Sequence, residues 1–208
     1  MGIAEPSWGK VAAGTALLCL VAYLPFFQLP FISDDYLQIG LARQYGSWEG
    51  QQELFADALY RCRATALWVV WVLDRLFGPV VTPQAVVCLV LHFLNCLLLF
   101  ALAKDNGFDR GSAAVAAMFF AVYEGHQEAV VWISAMPELL VFLFGGVSLL
   151  AGLRWMRGGG TGWLALTAGS YVLALLSKES AVVVPALLGA YGLMGKMSWR
   201  RWAPLVGV

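Results

Sequence analysis

The sequence predicts an all-α, multi-pass transmembrane protein of about six spans, with an external loop carrying juxtamembrane amphipathic helices. Composition is the first reason. Of 208 residues 61% are hydrophobic and only 12% charged, where a soluble domain is about half apolar and a quarter charged. Mean hydropathy is +0.75. Aromatic load is the second: nine Trp and twelve Phe suit helices that meet the headgroup region. The third is the recurrence of apolar runs that approach the roughly 20 residues needed to cross about 30 Å of hydrocarbon. A formal net charge of zero gives no reason to expect nucleic acid.

The first run, 11–32, is long for a secretory h-region and ends without a small-x-small cleavage site, so it reads as a retained anchor. The next clear spans are 84–103 and 138–153, with shorter or interrupted ones at 112–123, 162–177 and 180–195. Between the first two spans, residues 64–77 form a short apolar stretch preceded by Arg61 and Arg63 and interrupted by Asp74 and Arg75. A charged pair at bilayer depth is expensive. This segment is therefore predicted to be an amphipathic helix along the interface, with Trp68 and Trp71 among the headgroups.

Basic residues in short loops set orientation. With the N-terminus cytoplasmic and six alternating spans, the inner segments hold Lys10, Lys104, Arg110, Arg154, Arg157, Lys196, Arg200 and Arg201. They hold only Glu5, Asp105 and Asp109 as acids. The segment 33–82, the turn 124–138 and the hairpin tip 177–180 then lie outside. Basic Arg200 and Arg201 followed by apolar residues look like the start of another helix. The whole chain 1–208 thus reads as a single transmembrane domain, expected to be the N-terminal part of a longer module or a truncated one.

Asp34 and Asp35 follow the first span in Phe31-Ile-Ser-Asp-Asp-Tyr36. They suit a general base or a metal ligand, or else the negative start of a helix from Tyr36 to Tyr45 capped by Ser33 or Asp34. Glu124 and Glu128 share a helix face at spacing four, and His126 stands between them, with Glu138 beyond. Such groups beside a span mark either a site or a solvated rim. In Leu176-Ser-Lys-Glu-Ser-Ala181, Lys178 lies outside against the charge bias. An ammonium there suits a phosphate or carboxylate, or pairs with Glu179, or snorkels.

His92 and Asn95 sit three apart inside a span, where polar groups usually bond a neighbouring helix. Gly158-Gly-Gly-Thr-Gly162 lacks the Lys-Ser/Thr ending of a P-loop and reads as a flexible turn. The four cysteines, Cys19, Cys62, Cys88 and Cys96, show no CxxC pair. Three lie in apolar runs as small hydrophobes, with no disulfide framework or metal cluster expected.

Taken in order, five motifs resemble the GT-C superfamily of membrane glycosyltransferases, especially protein O-mannosyltransferase-like members. They are Ser33-Asp-Asp-Tyr36, then Tyr60-Arg61, then Leu91-His-Phe-Leu-Asn-Cys-Leu-Leu-Leu-Phe100. Glu128-Ala-Val-Val-Trp-Ile-Ser134 with Glu138 follows, and Leu176-Ser-Lys-Glu-Ser-Ala181 comes last. Two positions depart from the pattern: Gln127 stands where relatives tend to have Pro, and Met136 where they often have Arg.

The resemblance implies transfer of a sugar from a polyprenyl-phosphate carrier to a protein or glycan acceptor, on the periplasmic, extracellular or lumenal face. It implies Asp34 as general base with Asp35 beside it, and Lys178 with Arg61 at the donor phosphate. Glu128, His126, Glu138 and Glu179 would contact substrate. It leaves open a divalent metal, Mg or Mn. Two other readings share these residues. One is a transporter or flippase of lipid-linked sugars; the other is a catalytically idle, truncated membrane subunit.

Overall fold

The computed structural model describes residues 6–207; Glu5, counted above with the inner acids, lies outside them. Helices and their connections make up the described residues, with no strand among them. Three helices are long and apolar enough to cross a membrane: Trp8–Gln28, Val81–Asp105 and Ile133–Met156.

The first begins as α1 (Trp8–Tyr23), capped by Ser7, whose side chain accepts from Lys10 N–H. Pro25 brings no N–H donor, and Leu24–Gln28 continues only as a 3₁₀ turn. Residues 29–32 have left the helix. The span therefore stops short of the 11–32 expected from hydropathy, which cannot see the helix break at Pro25.

The segment between the first two of these helices folds into α2 (Asp34–Tyr45), α3 (Trp48–Ala56) and α4 (Ala64–Phe77). The bounds of α4 are those expected. Gly78, at φ 72°, ends it, a conformation that glycine adopts without a Cβ penalty. α2 packs on α4, joined by a bidentate pair in which Arg43 Nε and Nη2 each donate to Asp74 at 2.8 Å.

Arg43, by hydrogen bonding and charge, holds the Asp74 carboxyl below the usual carboxylate range. The folded value is depressed, so this pair's contribution is present above the unfolded carboxylate's pKa of about 3.9 and is lost as pH falls through the folded value. Thermal unfolding in detergent should therefore separate wild type from Asp74→Asn at pH 7. The gap should close at acid pH; a pH-independent gap would assign the effect to packing.

α5 (Val81–Asp105) and α8 (Met136–Met156) form the centre of the molecule. α1 and α6 (Arg110–Val122) lie against α5, while α9 (Thr161–Leu175) and α10 (Val183–Met194) lie against α8. A short α7 (Gln127–Val131) precedes α8, and α11 (Trp199–Val206) packs on α10.

At 1.5 Å per residue, α6, α9 and α10 reach only about 20, 22 and 18 Å, below the roughly 30 Å of hydrocarbon. They are apolar helices shorter than that thickness. As their spacing suggested, His92 and Asn95 bond neighbouring helices. His92 Nε2 lies 3.1 Å from Ala121 O, and Asn95 Nδ2 donates to Leu139 O at 2.9 Å.

Charge segregates along α8, with Glu138 in its first turn and Arg154 in its last. At the Arg154 end, Asp105 accepts from Arg154 Nε at 3.1 Å and from Arg157. Trp155 Nε1 there donates to Arg201 O at 2.9 Å, tying α11 to the same end.

Candidate functional site

At the other end of α8 a cavity of about 520 Å³ opens between α5, α6, α7 and the start of α8. Its lining includes His92, Asn95, Phe120, His126, Glu128, Trp132, Ser134 and Glu138. Three residues expected from the sequence, His126, Glu128 and Glu138, thus face one space.

The Asp34–Asp35 pair opens the first turn of α2, two residues earlier than the expected start at Tyr36. The two carboxylates have different surroundings. Asp35 is 2% exposed. Its Oδ2 accepts from Ile32 N–H at 3.0 Å, and its Oδ1 accepts from both N–H and Oγ of Ser134 at 2.8 Å. Because Ser134 lines the cavity, Asp35 fixes the start of α2 to the cavity wall.

Asp34 is exposed and accepts one hydrogen bond, from Ser33 Oγ at 3.2 Å. Ser33 makes no side-chain cap and sits at φ 44°, ψ −113°. A strained backbone of this kind costs of order 1–3 kcal/mol and persists only where its surroundings over-determine it. Here Asp35 and Ser134 do so. No third carboxylate, histidine or cysteine gathers with Asp34 and Asp35 among the described residues. Asp35's oxygens already serve three donors, while Asp34 keeps an oxygen free of protein donors.

The Lys178 tip is fastened to the start of α4. Thr65 N–H donates to Leu176 O at 3.1 Å, and the Thr65 and Ser177 hydroxyls lie 2.7 Å apart. The Lys178 ammonium pairs with Glu138 at the start of α8 rather than with its neighbour Glu179. Glu179 faces Arg63, with Nη1 to Oε2 at 3.1 Å. Its carboxyl is held below the usual range, first by its own backbone N–H and then by the Arg63 and Lys178 charges.

Arg61 is exposed, and no side-chain hydrogen bond or ion pair holds it among the described residues. Sequence reading singled out Arg61; the fold brings Arg63 to the Lys178 tip. Met136, where an arginine was considered, is fully buried in the core.

His126 meets Phe120 in a tilted pair with ring centroids 4.1 Å apart, and burial pushes its imidazole below the ordinary histidine value. Burial thus favours the neutral ring, which donates from one nitrogen and accepts at the other. Two further groups have no site role in the sequence analysis. Asn95 Oδ1 and Trp132 Nε1 are buried cavity-lining atoms without a hydrogen-bond partner. An acceptor and a donor left this way are costly unless a ligand or water meets them. Their signal in the sequence was only a polar residue in a span and one tryptophan among nine.

Comparison of the chain with protein-family models, with curated proteins and with solved structures finds no match.

Proposed function

We propose that this chain is a GT-C-like membrane glycosyltransferase that moves a sugar from a polyprenyl-phosphate donor to an acceptor hydroxyl on the non-cytoplasmic face. In this reading α6, α9 and α10 complete six spans, with the N-terminus cytoplasmic. One observation carries it: sequence-distant acids and a cation converge on the rim of a single cavity. Asp35 is held by cavity-lining Ser134, and Lys178 is held by cavity-lining Glu138.

The reaction is an inverting displacement. Asp34, with an oxygen free of protein donors, takes the acceptor hydroxyl proton as general base. The acceptor oxygen forms its bond to the anomeric carbon as the bond from that carbon to the phosphate oxygen breaks. The phosphate leaves with the electron pair, and Lys178 offsets the charge that develops there. Neutral His126, Glu128, Asn95 Oδ1 and Trp132 Nε1 meet sugar hydroxyls in the cavity, and Asp35 keeps α2 in register.

The test is transfer of radiolabelled sugar from a panel of polyprenyl-phosphate sugars by the full chain in detergent. Alongside it runs Ala135→Trp, which fills the cavity that Ala135 lines. Transfer by wild type and its loss in the folded variant is the expected result. Absence of transfer from every donor by folded wild type would overturn the proposal, as would full activity in the filled variant.

A further inference from the structure

Away from the acids, α1 and α5 bring together Cys19, His92 and Cys96. One donor atom from each lies within 4.8 Å of the others. His92 and Cys96 are four apart on α5 and so share a face, with Cys96 Sγ 3.9 Å from His92 Nε2. Cys19 comes from α1, across the contact between the two helices. All three are 1% exposed or less.

We propose that these three side chains form a binding site for a thiophilic divalent metal ion of the zinc class. The geometry is close to that required. Sulfur and imidazole nitrogen bound to one zinc, at about 2.3 and about 2.05 Å, lie about 3.5–4 Å from each other. With the donor atoms within 4.8 Å of one another, the separations need adjustments of no more than about 1.3 Å.

Charge selects the ion. Two thiolates and a neutral imidazole around a divalent cation sum to zero, whereas a monovalent ion leaves a net negative charge in a dry interior. Thiolate sulfur is too soft a ligand for Mg or Ca. Binding releases two thiol protons to solvent. The His92 Nε2 contact to Ala121 O, in which Nε2 carries the imidazole's one proton, gives way to the metal bond, and that proton moves to Nδ1.

The ring is already oriented for this. Phe120 stacks on it at 5.7 Å, and Tyr23 meets it edge-on at 5.3 Å. The ion has a route in, because His92 also lines the cavity, beside His126 at 5.9 Å.

The experiment titrates reduced full-length protein in detergent with Co(II), then displaces it with Zn(II). The expected result is a thiolate-to-cobalt charge-transfer band that saturates at one ion per chain. Affinity should fall at least about 100-fold in Cys19→Ser and in Cys96→Ser, since even outer-shell partners of a ligand are worth 10–100-fold. Cys62→Ser should leave it unchanged. Zinc-edge absorption on the unmodified chain, expected to show two sulfur neighbours and at least one nitrogen, decides the matter if the cysteine variants do not fold. No band in folded protein, a band indifferent to Cys19, or a Cys19–Cys96 disulfide in place of two thiols would overturn the proposal.

Discussion

Asp34→Asn is expected to lower sugar transfer by about 10²–10⁴-fold, the range of a lost general base, while leaving thermal unfolding unchanged. Asp35→Ala is expected to do the reverse at the level of stability, costing about 1–3 kcal/mol. The asymmetry follows from their surroundings. Removing the Asp35 carboxylate strips three donors of their acceptor: Ile32 N–H, Ser134 N–H and Ser134 Oγ. An unsatisfied donor costs about 1–3 kcal/mol when fully buried and less when part-buried, as these three are, with incomplete additivity. The strained Ser33 backbone loses the contacts that hold it, and α2 loses its tie to the cavity wall.

Asp34 has no such duty. It is exposed and accepts only from the neighbouring Ser33 hydroxyl. Unfolding temperature in detergent and transfer rate, measured on the same preparations, separate the two roles. An Asp34→Asn protein with undiminished transfer would remove Asp34 from the chemistry. An Asp35→Ala protein as stable as wild type would mean that the three donors find other partners.

The helices were legible because apolar runs and their flanking charges are local signals. α4 could be bounded because Arg61 and Arg63 precede its apolar stretch and Asp74 and Arg75 interrupt its end. The start of α2 was harder, since its first turn is closed by Asp35 reaching back to Ile32 N–H rather than by a Ser33 cap.

Partnerships across the fold left no trace in spacing. Ser134 lies 99 residues from Asp35, and Glu179 lies 116 from Arg63. A sequence reading could therefore prefer Arg61, two residues away on a tight 3₁₀ turn that points the two side chains differently. The cysteines were opaque for the same reason. Cys96 and His92 are visibly four apart, but only the α1–α5 contact supplies Cys19.

Lys178→Met is expected to reduce transfer by about 10²–10³-fold, the usual cost of removing a donor aimed at developing charge. Arg61→Met should change it little. Lys178 sits in extended backbone directly after a clamp made by Thr65, Leu176 and Ser177, so its ammonium is aimed from a fixed base. At rest that ammonium is paired with Glu138 at the cavity rim. A donor phosphate must therefore compete with a carboxylate already in place.

This exchange makes Glu138→Gln the informative companion. Removing the resting partner leaves Lys178 free, so donor affinity should rise even if kcat falls through loss of a cavity contact. KM and kcat for the polyprenyl-phosphate sugar, measured for both variants, separate the steps. A Lys178→Met enzyme with unchanged kcat and KM would mean that the ion pair only staples α8 to the hairpin. Weaker donor binding in Glu138→Gln would place Glu138, rather than Lys178, against the donor.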